Sequence, residues 1–353
     1  MIGKINISVT IYISMLLTIS CGQKKVDVNE PSPIAITDEG HALQFERFEE
    51  ELFGSTLPMD TSRVRYLREK YGDFFELWCI QLAGVLPGTK GRPSDAAIAG
   101  NLNQYLSDKY MKEVFEDAEK KFKDLRWLQE ELQPVFQRYS RAFPDKKIPV
   151  IMTYLSPFTS NIMAMDTLLG IGLHFYLGSD YKYYPSLQLP LYMIKKMRQE
   201  YIINDMIKGW LDSEYMDDSA QNNCLSQMIY QGKVLYATDV LSPDIPDTIK
   251  TGYSEIQLQW ALSHEEEIWS FFIEQQLLYN TNPKTYLKYI HDGNSTSGFP
   301  KEAPARLGAF IGWKMVRAYM KKHEGITLQQ LFEMKDAQKI LSESGYKPIK
   351  SNS

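Results

Sequence analysis

The stretch "QWALSHEEEIWSFF" (residues 259–272) decides which fold to expect. His264 and Glu265 are the opening pair of an H-E-x-x-H zinc-protease motif, but Ile268 stands where the second histidine belongs. The complete motif works because residues one helical turn apart reach a single metal, while the glutamate polarises a bound water. "HEGIT" (323–327) begins the same motif and also leaves it unfinished. Both stretches read better as helix ends. In "LSHEEE" Ser263 is placed to cap a helix whose first turn is acidic, as the helix dipole favours. His323 follows "YMKK" and precedes Gly325, where a basic residue suits a helix C-terminus. No metal or other cofactor is expected from the five histidines.

Working outward, the chain has 353 residues, 44% hydrophobic and 24% charged, which is enough for a sizeable core. The formal charge is −5, and Lys and Arg never run beyond two in a row, which argues against a nucleic-acid partner. There is no P-loop, dinucleotide fingerprint or G-x-S-x-G nucleophile elbow. The first residues have the layout of a secretory signal: a basic start (Met1–Lys4), an apolar run (Ile5–Ser20), then Cys21. Such a run is too short for a comfortable membrane span, which needs ~20 apolar residues. A cysteine in that place suggests a lipoprotein signal over residues 1–20, with Cys21 lipidated and holding the chain to a membrane. Residues 21–40, with two prolines and scattered charge, read as a flexible tether. Residues 41–349 are expected to form one globular domain, and 350–353 a loose tail. Cys79 and Cys224 are too few for a disulfide framework, and whether they pair is left open.

Most of residues 41–349 carries helical periodicity. "FERFEEELF" (45–53) is a short amphipathic segment. Residues 60–82 repeat Val64, Leu67, Tyr71, Phe74, Phe75 and Trp78 at spacings of three and four. Residues 116–143 give the clearest amphipathic helix, with Pro134 expected to kink or split it. The period then changes. "IPVIMTYLS" (148–156) and the run 160–178 read as two or three strands of a small sheet, and helix resumes at Met193. The expected class is α+β, mostly α, with the sheet in the first half.

Several longer segments belong together: "TLLGIGLHFYLGSDYKYYP", "CLSQMIYQGKVLYATDVLSP", "HEEEIWSFFIEQQLLYNTN" and "PARLGAFIGWKMVRAYMKKHEGITLQQLF". With the Tyr230–Tyr236 core, Glu267 and Trp269, and the G-x-x-x-G-W run, they resemble the gliding-motility lipoprotein B (GldB) family of Bacteroidetes. The resemblance runs from about Phe45 to Pro348 and includes the lipoprotein signal. It implies a zincin-like fold related to envelope metallopeptidases, with the metal helix placed at "SQMIY" (226–230). There Ser226, Gln227 and Tyr230 would replace the first histidine, the glutamate and the second histidine, and Glu267 would remain at the third-ligand position. Ser and Gln are poor zinc ligands, and Gln has no proton to shuttle. The resemblance therefore implies a non-catalytic, lipid-anchored envelope protein associated with gliding or type IX secretion. Its place would be the outer membrane, on the periplasmic face, among other envelope proteins. A peptidase with unorthodox ligands and a peptide- or glycan-binding module are the alternatives.

Two further features bear on binding. Gly308 and Gly312, four apart on a predicted helix, mark either close helix packing or a backbone lining a groove. The loop "YKYYPSLQLPLY" carries Tyr181, Tyr183, Tyr184 and Tyr192, whose apolar rings and hydrogen-bonding tips suit either an interface or a loop folded onto the core.

Overall fold

The computed structural model describes residues 31–36, 42–86, 93–216 and 223–348. The signal segment, Cys21, most of the tether and the tail lie outside the described residues. A four-stranded sheet organises the first half. The β-branched runs supply three strands, β2 (Val150–Tyr154), β3 (Ile162–Met165) and β4 (Leu168–Gly172). The fourth, β1 (Phe45–Arg47), comes from the start of the segment expected as helix. The order is β1-β2-β4-β3; β2 runs parallel to both neighbours and β3 antiparallel to β4. Periodicity could not reveal β1, because three residues are too few to show a period of two; pairing of Phe45 with Ile151 fixes it instead.

Side chains of β2 alternate between two cores, as the strand period demands. Met152 and Tyr154 face α1 (Phe48–Phe53), α2 (Thr61–Leu77) and α3 (Asp95–Ser107), where Val64, Leu67, Phe74, Phe75 and Trp78 are buried. Ile151 faces the larger core, with Leu169 and Ile171 of β4. α4 (Lys109–Phe122) and α5 (Arg126–Ala142) divide the stretch expected as one helix. The break falls at Lys123–Leu125 rather than at Pro134, which sits inside α5. Asp124 accepts the Arg126 backbone N–H at 3.0 Å, which restarts the chain there.

The second half is helical throughout: α6 (Leu191–Ile194), α7 (Ile202–Tyr215), α8 (Cys224–Leu241), α9 (Asp247–Thr251), α10 (Glu255–Ser263), α11 (Glu265–Glu274), α12 (Pro283–Ile290), α13 (Leu307–Lys322), α14 (Leu328–Glu333) and α15 (Ala337–Ser344). α8 is buried nearly all round and forms the axis of this half. It crosses α13 at two glycines. A Cβ on Gly232 would stand 2.3 Å from the Gly312 carbonyl oxygen, and one on Gly312 1.8 Å from that of Met228. Nearby, Asp239 of α8 accepts hydrogen bonds from Trp313 Nε1 (2.8 Å), Arg317 Nε (2.7 Å) and Lys250 Nζ (2.9 Å), tying α8, α9 and α13 together. Among the described residues, no helix is long and apolar enough to cross a membrane. Cys79 and Cys224 are free buried thiols in separate cores, each pushed up to about 12 by burial first.

Candidate functional site

α7 packs against the sheet through Gly209, where a Cβ would lie 2.4 Å from Ile162 Cγ2. That close approach leaves a recess of about 330 Å³ beside the first residue of β3. Its apolar side is Ile162, Phe175, Met193 and Met197; its polar side is Asn161, Tyr176, Lys196, Asp205, Lys208, Asp212 and Asp292. Asp205, Lys208 and Asp212 share one face of α7, being three, four and seven residues apart.

Each carboxylate here is engaged. Asp205 accepts from Tyr176 Oη at 2.9 Å, and burial raises its pKa. Asp212 accepts from Tyr230 Oη at 2.7 Å, and burial raises it too. Asp292 lies 2.7 Å from Lys196 Nζ and 3.7 Å from Arg306 Nε. Burial pushes its carboxyl up, yet Arg306 and Lys196 hold it down at about 2. The cations are less evenly served. Lys208 is lowered first by the neighbouring Arg306 guanidinium and then by burial, and among the described residues it has neither a hydrogen bond nor an ion pair. Arg306 is buried and donates to Gln231 Oε1 at 3.1 Å. Its backbone is left-handed (φ 62°, ψ 28°), a conformation that costs about 1–3 kcal/mol for a side chain of this kind and gathers at functional sites.

The residues singled out in the sequence are distributed differently. Ser226 and Tyr230 line a small cleft next to the recess, with Lys233, Tyr215 and Phe332. Ser226 is spent at the start of α8, where its N–H and Oγ both donate to Asn223 Oδ1. Tyr230 alone reaches the recess, through Asp212. Gln227 is on the first turns of α8 and lines neither space. Glu267 is exposed on α11 and joins none of them; the buried acid of that helix is Glu265, which accepts from Tyr346 Oη at 2.9 Å. Ser263 does not cap α11. It closes α10 by donating to the Gln259 carbonyl at 2.9 Å, and His264 stacks on Trp260 at the junction. His323 terminates α13 as expected.

Gly308 and Gly312 are buried against neighbouring elements. A Cβ on Gly308 would meet Ile290 Cδ1 at 2.8 Å, so small residues serve helix packing there. The tyrosine loop folds onto the protein. Tyr181 donates to Asp117 at 3.0 Å, Tyr183 donates to Glu113, and the fully buried Tyr184 donates to the His174 carbonyl at 2.8 Å. Tyr192 lines a larger groove of about 650 Å³ that adjoins the recess through Lys196 and Asp292. Among the described residues no three His, Cys, Asp or Glu side chains converge as metal ligands.

The family comparison agrees with the segments that suggested it: the description "gliding motility protein GldB" matches residues 29–348. The chain belongs to the GldB family. Membership associates this GldB-family chain with gliding motility and with lipoproteins of the cell envelope. Comparisons with curated proteins and with solved structures return no match. The recess was not legible in the sequence of this family member. Asp205, Lys208 and Asp212 look like the solvated face of an amphipathic helix until β3 and the Asp292–Arg306 segment are laid over them.

The cleft beside Tyr230 also makes a stability prediction. Burial depresses Lys233 to about 7, although its ammonium donates to the Met334 carbonyl at 2.5 Å. Below pH 7 both folded and unfolded chains carry that proton, and the buried charge destabilises the fold. Between pH 7 and the unfolded value of 10.5 only the unfolded chain holds it, so stability rises with pH. The expected slope from this group is at most roughly 1.4 kcal/mol per pH unit. Urea unfolding of the protein from pH 6.5 to 9 should show this rise, and Lys233→Met should flatten it. Equal slopes in the two proteins would contradict it.

Proposed function

We propose that this is a non-catalytic, lipid-anchored component of the cell envelope, serving gliding or the associated type IX secretion machinery. It would bind a partner in a cleft descended from a metallopeptidase-like site. The supporting observation is how the residues at the implied metal-helix positions are used. Ser226 is tied to the helix cap and Tyr230 to Asp212, while Glu267 points to solvent far from both in role. The protein has instead built a charged recess whose carboxylates are all engaged by donors. A zincin-like arrangement is part of this proposal: a mixed sheet whose antiparallel edge strand β3 overlies a helix lined with polar groups.

Lipidation at Cys21 would place the globular part on the periplasmic face of the outer membrane, with residues 21–40 as the tether. Several acyl chains on one cysteine suffice for stable anchoring. Cells expressing the full chain and fed labelled palmitate should incorporate label into the protein, and Cys21→Ser should lose it. An unlabelled wild-type protein would sink the anchoring.

The peptide-binding reading has its own support in the groove that continues the recess past Lys196 and Asp292. Its lining is rich in hydrogen-bonding groups, among them Arg198, Ser254, Gln257 and Asn294.

A further inference from the structure

We infer that Lys208 is the seat of a carboxylate, and that the recess takes the free C-terminus of a peptide whose last side chain is apolar. The inference rests on the reading of the cleft as one that binds rather than cuts.

Two lysines line this space, Lys196 and Lys208, and Arg306 stands beyond them in the adjoining groove. Lys196 and Arg306 share Asp292, and Arg306 also grips Gln231. Among the described residues Lys208 has no hydrogen bond or ion pair; Asp212, Asp292 and Asp205 attract it only from longer range, and like-charge repulsion from Arg306 is the first influence on it. The nearby carboxylates have other direct partners: Tyr176 and Asn161 hold Asp205, and Tyr230 holds Asp212. An anion entering beside Lys208 would give it a direct partner and weaken its repulsion with Arg306. The strained backbone of Arg306 fits a group held in place for binding.

The walls specify what else the anion carries. Ile162, Phe175, Met193 and Met197 form the apolar side of the recess, and its volume of about 330 Å³ fits a single side chain with its carboxylate. Such a volume lies at the low end of the ~300–1,000 Å³ typical of ligand sites. The outlet is mixed: the recess continues past Lys196 and Asp292 into the 650 Å³ groove, where Arg198, Ser254, Gln257 and Asn294 stand among Leu191, Tyr253 and Ile256. A hydrocarbon tail would leave the polar groups of that groove unused, whereas a peptide would meet donors and acceptors with its main chain and the apolar residues with its side chains.

The test uses the full-length protein in detergent and a tetrapeptide of three alanines followed by leucine. Binding is read by calorimetry for the free acid, for its C-terminal amide and for inorganic phosphate, with the peptide recovered for mass spectrometry. The free acid should bind, and the amide at least tenfold more weakly. Lys208→Met should weaken the acid by at least tenfold, while Lys208→Arg retains most of the affinity. Circular dichroism should show Lys208→Met folded as the wild type is, so that its lost binding is not a lost fold. Equal binding of acid and amide, undiminished binding by Lys208→Met, or no binding of the acid at millimolar peptide would each overturn the inference. Phosphate binding as tightly as the peptide would reassign the seat to a small free anion and overturn the peptide assignment. Cleavage of a peptide that still depends on Lys208 would leave the carboxylate seat standing and sink the non-catalytic reading instead.

Discussion

Replacing Asp239 by alanine is expected to destabilise the protein by about 3–5 kcal/mol, the usual effect of removing one partner from a buried ion pair. Asp239 is 3% exposed and faces three donors: both nitrogen arms of Arg317 (2.7 and 2.8 Å), Lys250 Nζ (2.9 Å) and Trp313 Nε1 (2.8 Å). Arg317 and Lys250 are themselves buried. Without the carboxylate, two cations would remain inside the fold, with Asp247 3.1 Å from Lys250 and 3.8 Å from Arg317. The guanidinium also lies 3.8 Å from the Trp313 ring centroid, so its displacement would loosen α13 as well. Urea unfolding followed by circular dichroism measures the loss directly. A change below about 1 kcal/mol, the range of an exposed pair, would show that the network does not hold α8, α9 and α13 together.

Gly312→Val should be comparably damaging for a steric reason. The first atom added at Gly312 would fall 1.8 Å from the Met228 carbonyl oxygen, well inside contact distance, and both sides of the collision are helix backbone. No side-chain rotation relieves it, so α13 must move off α8. Overpacking in a core usually costs 1–3 kcal/mol. A clash between two backbones belongs at or beyond the upper end of that range. The change should lower the unfolding midpoint or leave the protein in inclusion bodies. Gly325→Ala, where an added Cβ meets nothing within 4 Å, serves as the control and should behave as wild type. A Gly312→Val protein that is folded and as stable as the wild type would mean the helices do not cross as described.

These two sites explain why so much of the fold could be read from the sequence. The family's recognisable residues are the ones that carry the architecture. Gly232 and Gly312 make the helix crossing, and Trp313 serves Asp239. Tyr230 holds Asp212, and Lys233 reaches the Met334 carbonyl from α8. The strands of 148–178 were visible because β-branched residues and prolines bound them, and the burial of Val64 through Trp78 followed from spacing alone. What stayed hidden depends on tertiary contact. β1 exists only through its pairing with β2. The helix break at Lys123–Leu125 depends on one aspartate side chain turning back to the backbone.

The recess is the clearest example of a feature invisible to periodicity. Its charges come from α7, from Lys196 just after α6 and from Asp292 just after α12, which are far apart in the chain. A helix face bearing Asp205, Lys208 and Asp212 gives no sign of whether water or protein covers it. The resemblance puts a residual metal position at Glu267, in a run of three acids of which the fold buries Glu265 and exposes Glu267.

We propose that this member of the GldB family holds a partner without cutting it. The direct measurement is a mass-spectrometric record of a mixed peptide set incubated with the full-length protein and added zinc. The account predicts that every peptide is recovered whole, including those the protein retains. Fragments that accumulate with time, and stop accumulating when a chelator removes the metal, would contradict it.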